Sequence, residues 1–237
     1  METLSAEAQA MGHQMIVLAA NNSNLLFGYL AGKHEGRMGV MCSPQSKWRR
    51  PVWFLPYAID NGMYAATQAG KDWPEREFLQ MLDKAKESDH DPLFVVVPDV
   101  LYDRDETLRR FDKYAPRLER MGFRLAIACQ DGMTPRDVPD GVVAFIGGSD
   151  SFKAKTWDFC EAGLRVHVGR VNGFQRLVSS HKCGAFSCDG SGFFMEGDCS
   201  RGRVRGSYKS RLDPLMRYLE WAKNETENQR ELFKCHH

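Results

Sequence analysis

Seven short apolar runs recur along the chain: "MIVLAA" (15–20), "VWFLPYAI" (52–59), "LFVVVP" (93–98), "RLAIAC" (124–129), "VVAFIG" (142–147), "RVHVG" (165–169) and "AFSC" (185–188). Their hydrophobicity is continuous rather than alternating, as expected of strands covered on both faces in a parallel sheet. Between them "EREFLQMLDKAKE" (75–87), "ETLRRFDKYAPRLERM" (106–121), "KTWDFCEAG" (155–163) and "GFQRLVSSHK" (173–182) read as amphipathic helices. A repeated β-α unit admits two architectures, an open doubly wound sheet or a closed (β/α)8 barrel. The open nucleotide-binding sheet expects a glycine-rich phosphate loop after its first strand, whereas "NNSNLLFG" follows here. The expected fold is therefore α/β, a compact (β/α)8 TIM-type barrel occupying residues 1–237 as a single domain with short terminal extensions. Its eighth strand is not evident, and 191–206 is the room left for it before the closing helix "DPLMRYLEWAKN" (213–224).

With 43% hydrophobic residues in 237, one large core can be filled. Thirty-two Lys and Arg balance thirty-one Asp and Glu, so attraction to a polyanion has to come from local clusters. Two stand out. "RGRVRGSYKSR" carries Arg201, Arg203, Arg205, Lys209 and Arg211 without an acid, and "SKWRRP" carries Lys47, Arg49 and Arg50 beside Trp48. No apolar run approaches the ~20 residues of a membrane span, and "METLSAEAQAMGHQ" lacks the features of a signal peptide, so the expected location is the cytoplasm. Seven cysteines, an odd number, suit reduced thiols better than a disulfide framework. His181, Cys183, Cys188 and Cys199 raise a zinc question, but no C-x2-C spacing accompanies them and no metal is expected.

In a barrel, side chains at the carboxyl ends of the strands converge on one mouth. The residues there are Asp60 in "AIDNGMY", Asp99 in "VVVPDVLYD", Gln130 in "ACQDG", Gly147 and Gly148 in "FIGGS", Arg170 and Asn172 in "GRVNG", and Asp189 in "CDGSG". Taken singly, each has an ordinary explanation as a cap or turn, and Asp189-Gly190 alone reads as a turn dipeptide. Their recurrence at successive strand ends points instead to one polar cleft.

In this order the segments resemble the tRNA-guanine transglycosylase superfamily, (β/α)8 barrels that exchange a guanine in a polynucleotide for a 7-deazaguanine. "AIDNGMY" is similar to the family segment with the general acid/base aspartate, here Asp60, and the aromatic that covers the base, here Tyr64 with Met63 as the alternative. "VVVPDVLYD" resembles the guanine-reading segment through Asp99. "AIACQDG" resembles the glutamine-glycine element through Gln130, with Asp131 intervening, and "VAFIGGS" the paired-glycine strand end. "VHVGRVNGFQRLVSSHKCGAFSCDGSG" resembles the long segment that ends at the nucleophilic aspartate, here Asp189. The likeness spans most of residues 14–192. The chain is shorter than the tRNA enzymes, lacks their cysteine-rich zinc motif and continues differently after Asp189. These departures, with "HVGRVN" and "CDGSG", look more like the compact phage and genomic-island branch, the DpdA-type DNA transglycosylases.

The resemblance implies a double displacement at the anomeric carbon with Asp189 as nucleophile, Asp60 managing protons, and Asp99 accepting the N1–H and exocyclic amine of guanine. Gln130, Gly147 and Gly148 would meet the O6 edge, and Arg170 and Asn172 would join the substrate site. The implied partners are DNA, a free 7-deazaguanine base and a helper ATPase or nuclease-like protein, with no cofactor and no membrane. Other readings remain: action on tRNA, an N-glycosylase or nucleosidase using water as acceptor, and a nucleic-acid-binding barrel without catalysis.

Overall fold

The computed structural model describes residues 14–20, 25–46, 55–190 and 208–234. Eight parallel strands close into a barrel in sequence order: β1 (Ile16–Ala20), β2 (Met38–Cys42), β3 (Tyr57–Ile59), β4 (Val95–Val96), β5 (Leu125–Cys129), β6 (Val143–Ile146), β7 (Val166–Val168) and β8 (Ser187–Gly190). The ring shuts where β8 pairs with β1, Cys188 opposite Val17 and Asp189 opposite Leu18. Helices α1 (Leu25–Lys33), α2 (Met63–Gln68), α3 (Glu75–Lys86), α4 (Arg104–Arg120), α5 (Asp150–Lys153), α6 (Thr156–Glu161), α7 (Phe174–Lys182) and α8 (Tyr208–Lys234) follow the strands, with one 3₁₀ turn at Pro135–Asp137.

The expected barrel is present, but the strand missing from the sequence reading is β2, not a segment of 191–206. That stretch lies outside the described residues. "MGVMC" escaped notice because Gly39 interrupts it, and the barrel requires that glycine. A Cβ there would stand 2.3 Å from the Pro56 carbonyl oxygen and 2.7 Å from Leu18 Cδ2. Close backbone approach has removed the side chain that would have marked a strand.

Because side chains alternate along each strand, the apolar residues divide into two cores. Leu18, Met41, Ala58, Val96, Ala126, Ala128 and Val143 point inward and fill the barrel with Phe94 and Phe145. Val17, Val40, Ile59, Val95, Ile127, Ile146 and Val168 point outward beneath the helices. Each helix adds its apolar stripe, as when α3 buries Phe78, Met81, Leu82 and Ala85. Two helix starts are set by side chains the sequence offers for that purpose: Asp103 accepts from Glu106 N to cap α4, and Ser149 accepts from Phe152 N to cap α5. Leu215, Tyr218, Leu219 and Ala222 bury one face of α8, and the Tyr218 hydroxyl lies 2.9 Å from His181 Nδ1 on α7. Among the described residues no helix is long and apolar enough to cross a membrane.

Candidate active site at the barrel mouth

The inward positions continue past the strand ends, and there they turn polar. Two residues after inward Ala58 comes Asp60, and two after inward Ala128 comes Gln130. Two after inward Phe145 comes Gly147, and Asp189 lies level with inward Leu18. The result is an open cavity of about 680 Å³. Asp60, Tyr64, Asp99, Gln130, Gly147, Gly148, Arg170, Asn172 and Asp189 all line it, so the substrate-contacting residues named from the sequence share one site. The alternative cover, Met63, is buried and does not line the cavity.

Asp99 is buried between two amides. Asn61 Nδ2 donates to its Oδ1 at 2.9 Å, and Gln130 Nε2 donates to its Oδ2 at 2.7 Å. Both amides are themselves fixed. Asn61 Nδ2 also donates to Val97 O and its Oδ1 accepts from Met63 N, while Gln130 Oε1 accepts from Tyr102 N. Gln130 thus keeps one amide hydrogen for a ligand, and each Asp99 oxygen retains a lone pair. Burial pushes the Asp99 carboxyl up to about 6, against the pull of Asn61, the nearby Arg110 charge and Gln130.

Asp60 opens on the cavity, yet its carboxyl is set among protein groups and next to two other acids. Burial first, then the charges of Asp189 and Asp99, raise it to about 7, while the backbone N–H groups of Gly62 and Asn61 oppose the rise. Gly62 makes that approach with φ 79°, and its N–H donates to Asp60 Oδ2 at 3.2 Å.

Asp189 is not in a turn. Pairing with β1 carries the strand through it to Gly190, which pairs with Ala19; β7 pairs as far as Cys188, and beyond it Val171 N donates to Asp189 O at 2.6 Å. Its Oδ1 accepts from Arg170 N at 3.2 Å and lies 3.1 Å from His167 Nε2. Arg170 reaches that position with φ 57°, a left-handed conformation rare for a residue with a Cβ. Its guanidinium donates to Gly148 O at 2.6 Å and stacks 4.6 Å from the ring centroid of Tyr64, which is 40% exposed at the opening. One residue therefore joins the ends of β6, β7 and β8 to the aromatic of α2. Gly148, at φ 59°, leaves room for Asp131, whose carboxylate accepts from Ser149 N and Ser149 Oγ; Asp131, the unexpected insertion after Gln130, thus fastens the paired-glycine loop.

Sequence reasoning missed Asn61, His167 and Gly169. A Cβ on Gly169 would stand 2.7 Å from Phe145 Cε1 and 3.4 Å from Asp189 Oδ1. The signal for His167 was available as a lone polar residue at the inward position of "VHV". Of the proposed phosphate-binding residues, Lys47, Arg49, Arg50, Arg201, Arg203 and Arg205 lie outside the described residues, and Lys209 and Arg211 stand in the first turn of α8. Among the described residues no three of His, Cys, Asp and Glu are grouped to hold a metal ion. Cys188 is buried on the outward face of β8, and Cys199 lies outside the described residues.

Fold and site together define a (β/α)8 barrel with a carboxylate-rich pocket at the C-terminal mouth. No protein-family model matches the chain, and no curated protein matches it. Among solved structures it is similar to a candidate fructose-1,6-biphosphate aldolase from Coccidioides immitis, with TM-score 0.53 and 10% identity over 94% of this chain and 92% of that one. At that identity the likeness bears on the fold alone.

Proposed function

We propose that this protein exchanges guanine in DNA for a 7-deazaguanine through a covalent aspartyl-glycosyl intermediate. The observation that carries the reading is the division of environments among three acids in one pocket. Among the described residues Asp189 has hydrogen bonds on one oxygen only, Asp60 is lifted to about 7, and Asp99 is flanked by two amides. A pocket of about 680 Å³ suits a single flipped-out nucleotide.

In the first displacement a carboxylate oxygen of Asp189 bonds to the anomeric carbon and the bond from that carbon to guanine N9 breaks. The proton that the leaving base requires comes from Asp60, which near neutral pH holds one. In the second, N9 of the incoming 7-deazaguanine gives its proton back to Asp60 and attacks the same carbon. Asp189 is released as the carboxylate and the cycle closes without net proton change. Asp99 receives N1–H and the exocyclic amine on its remaining lone pairs, and Tyr64 lies across the base face. Action on DNA rather than tRNA rests on the family resemblance.

The test is incubation with guanine-containing DNA and 7-cyano-7-deazaguanine, followed by digestion and mass spectrometry of the nucleosides. The expected product is the exchanged deoxynucleoside, with a trappable protein-DNA adduct that Asp189→Asn loses while still binding DNA. Guanine release without any deazapurine would indicate a hydrolase. DNA binding with no base release, indifferent to Asp189→Ala, would indicate a binding protein.

A further inference from the structure

Among the buried groups that the mechanism above leaves unused, His167 lies against the proposed nucleophile. It is fully buried on the inward face of β7, where almost every other inward side chain is apolar. Its register partner on β8 is Ser187, also fully buried, and Asp189 is two residues further along the same face. His167 Nδ1 lies 2.8 Å from Ser187 Oγ, and Nε2 lies 3.1 Å from Asp189 Oδ1. The imidazole cannot swing away. Its ring is 4.6 Å from that of Phe145 at 32°, and 5.0 Å from that of Phe94 at 61°.

We infer that His167 is a positioning residue that, anchored by Ser187, fixes the Asp189 carboxylate so that one chosen oxygen faces the substrate. An ionised carboxylate accepts only, so Nε2 carries the hydrogen of that contact, and Nδ1 is satisfied by the Ser187 hydroxyl. The second donor, Arg170 N, falls on the same oxygen. Oδ1 is thereby engaged twice, and Oδ2, which has no hydrogen bond among the described residues, is left to attack. Rotation of the carboxylate about its Cβ–Cγ bond would break both contacts and turn the free oxygen away from the substrate, and the His167 contact opposes that rotation. The roles rest on the transglycosylase reading; the hydrogen-bond chain does not.

Two measurements separate the two. With ¹⁵N-histidine labelling, the His167 Nε2 resonance is expected to be that of a protonated nitrogen coupled to its hydrogen, and to shift in Asp189→Asn. An Nε2 without hydrogen overturns the inference whatever the enzyme does. In single-turnover reactions with DNA, His167→Leu is expected to slow adduct formation about 10- to 100-fold, the loss typical of a hydrogen bond to a charged group, with DNA affinity unchanged. His167→Gln, whose amide nitrogen can reach the position of Nε2, should recover most of that rate. Ser187→Ala, a smaller change, should lose rate in the same direction and covers the case in which the leucine variant does not fold. Parental adduct rates in His167→Leu or Ser187→Ala, or no recovery with glutamine, refute the positioning role. Absence of any adduct in the parent together with the expected nitrogen spectrum refutes the transglycosylase reading and leaves the chain intact.

Discussion

Replacing Asp60 by Asn should make the protein more stable, by an amount that grows with pH. The carboxyl is lifted from 3.8 to about 7, chiefly by burial and then by Asp189 and Asp99. Between those two values the folded protein holds a proton that the unfolded chain has released, so stability falls as pH rises through this window. The contribution of Asp60 is fully present below pH 3.8 and is lost once pH passes about 7. At 1.36 kcal/mol per pH unit of separation, the loss is on the order of 4 kcal/mol. Asparagine matches the protonated acid in shape and can still accept the Gly62 N–H, so the two proteins should be nearly equal in stability at pH 4. By pH 8 the variant should be ahead by about that amount. Asp99, lifted to about 6, loses stability over a similar window in both proteins and largely cancels in the difference. Urea unfolding of parent and variant at half-unit steps from pH 4 to pH 8.5 measures the quantity directly. A difference that is flat across the range, or that shrinks towards alkaline pH, would refute the assignment of Asp60 as a buried, proton-holding acid. The same variant should lose exchange activity at every pH, since an amide neither gives nor takes the proton.

Asp99→Ala should lower exchange by one to several orders of magnitude with little change in backbone affinity, at ~1–3 kcal/mol for each base hydrogen bond deleted; parental turnover would move base reading elsewhere. Gly169→Ala should displace the Phe145 ring and cost ~1–3 kcal/mol of stability in urea unfolding, with exchange falling beyond what the lost stability explains. Arg201, Arg203 and Arg205 changed together to Ala should weaken binding to DNA of any sequence, each lost phosphate contact lowering the slope of log affinity against log salt by ~0.9 for duplex. Titrations at several salt concentrations with an unchanged slope would put the nucleic-acid path elsewhere.

The barrel was legible because strands buried on both faces need continuous apolar runs, and seven of the eight have one. β2 was hidden by Gly39, whose missing side chain makes room for the Pro56 carbonyl on one side and Leu18 of β1 on the other. Strand lengths were less legible: "LFVVVP" yields only Val95–Val96, since pairing with β3 and β5 and not hydrophobicity decides where the ladder ends. The acids at the mouth could be read from their place after each run. Their supports could not. Asn61 looks like part of a turn, His167 like a stray polar residue in a core strand, and Asp131 like an interruption of a motif. Each acquires meaning only from a partner between 18 and 38 residues away in sequence.

The pocket floor carries three acids, and the side chains that bind them are amides, an imidazole and backbone N–H groups rather than lysines or arginines. The Arg170 guanidinium is turned away from the floor to Gly148 and Tyr64, and the Lys153 amine binds the carbonyl of Gly169 behind it. Among the described residues the acids therefore gather at the floor, while the Arg170 guanidinium stands beside the half-exposed ring of Tyr64. The acids of the floor would repel a phosphate that entered, whereas a neutral ring bearing N–H groups would meet no such barrier. On the transglycosylase reading, depth of entry would be metered by charge: a strand could lower one base into the pocket while its backbone stayed at the lip, and a free base could follow where a free nucleotide would be turned back. Because exposed charges are screened over about 8 Å at physiological salt and enclosed ones far less, rising salt would, on that reading, loosen a grip at the lip before it weakened the repulsion below.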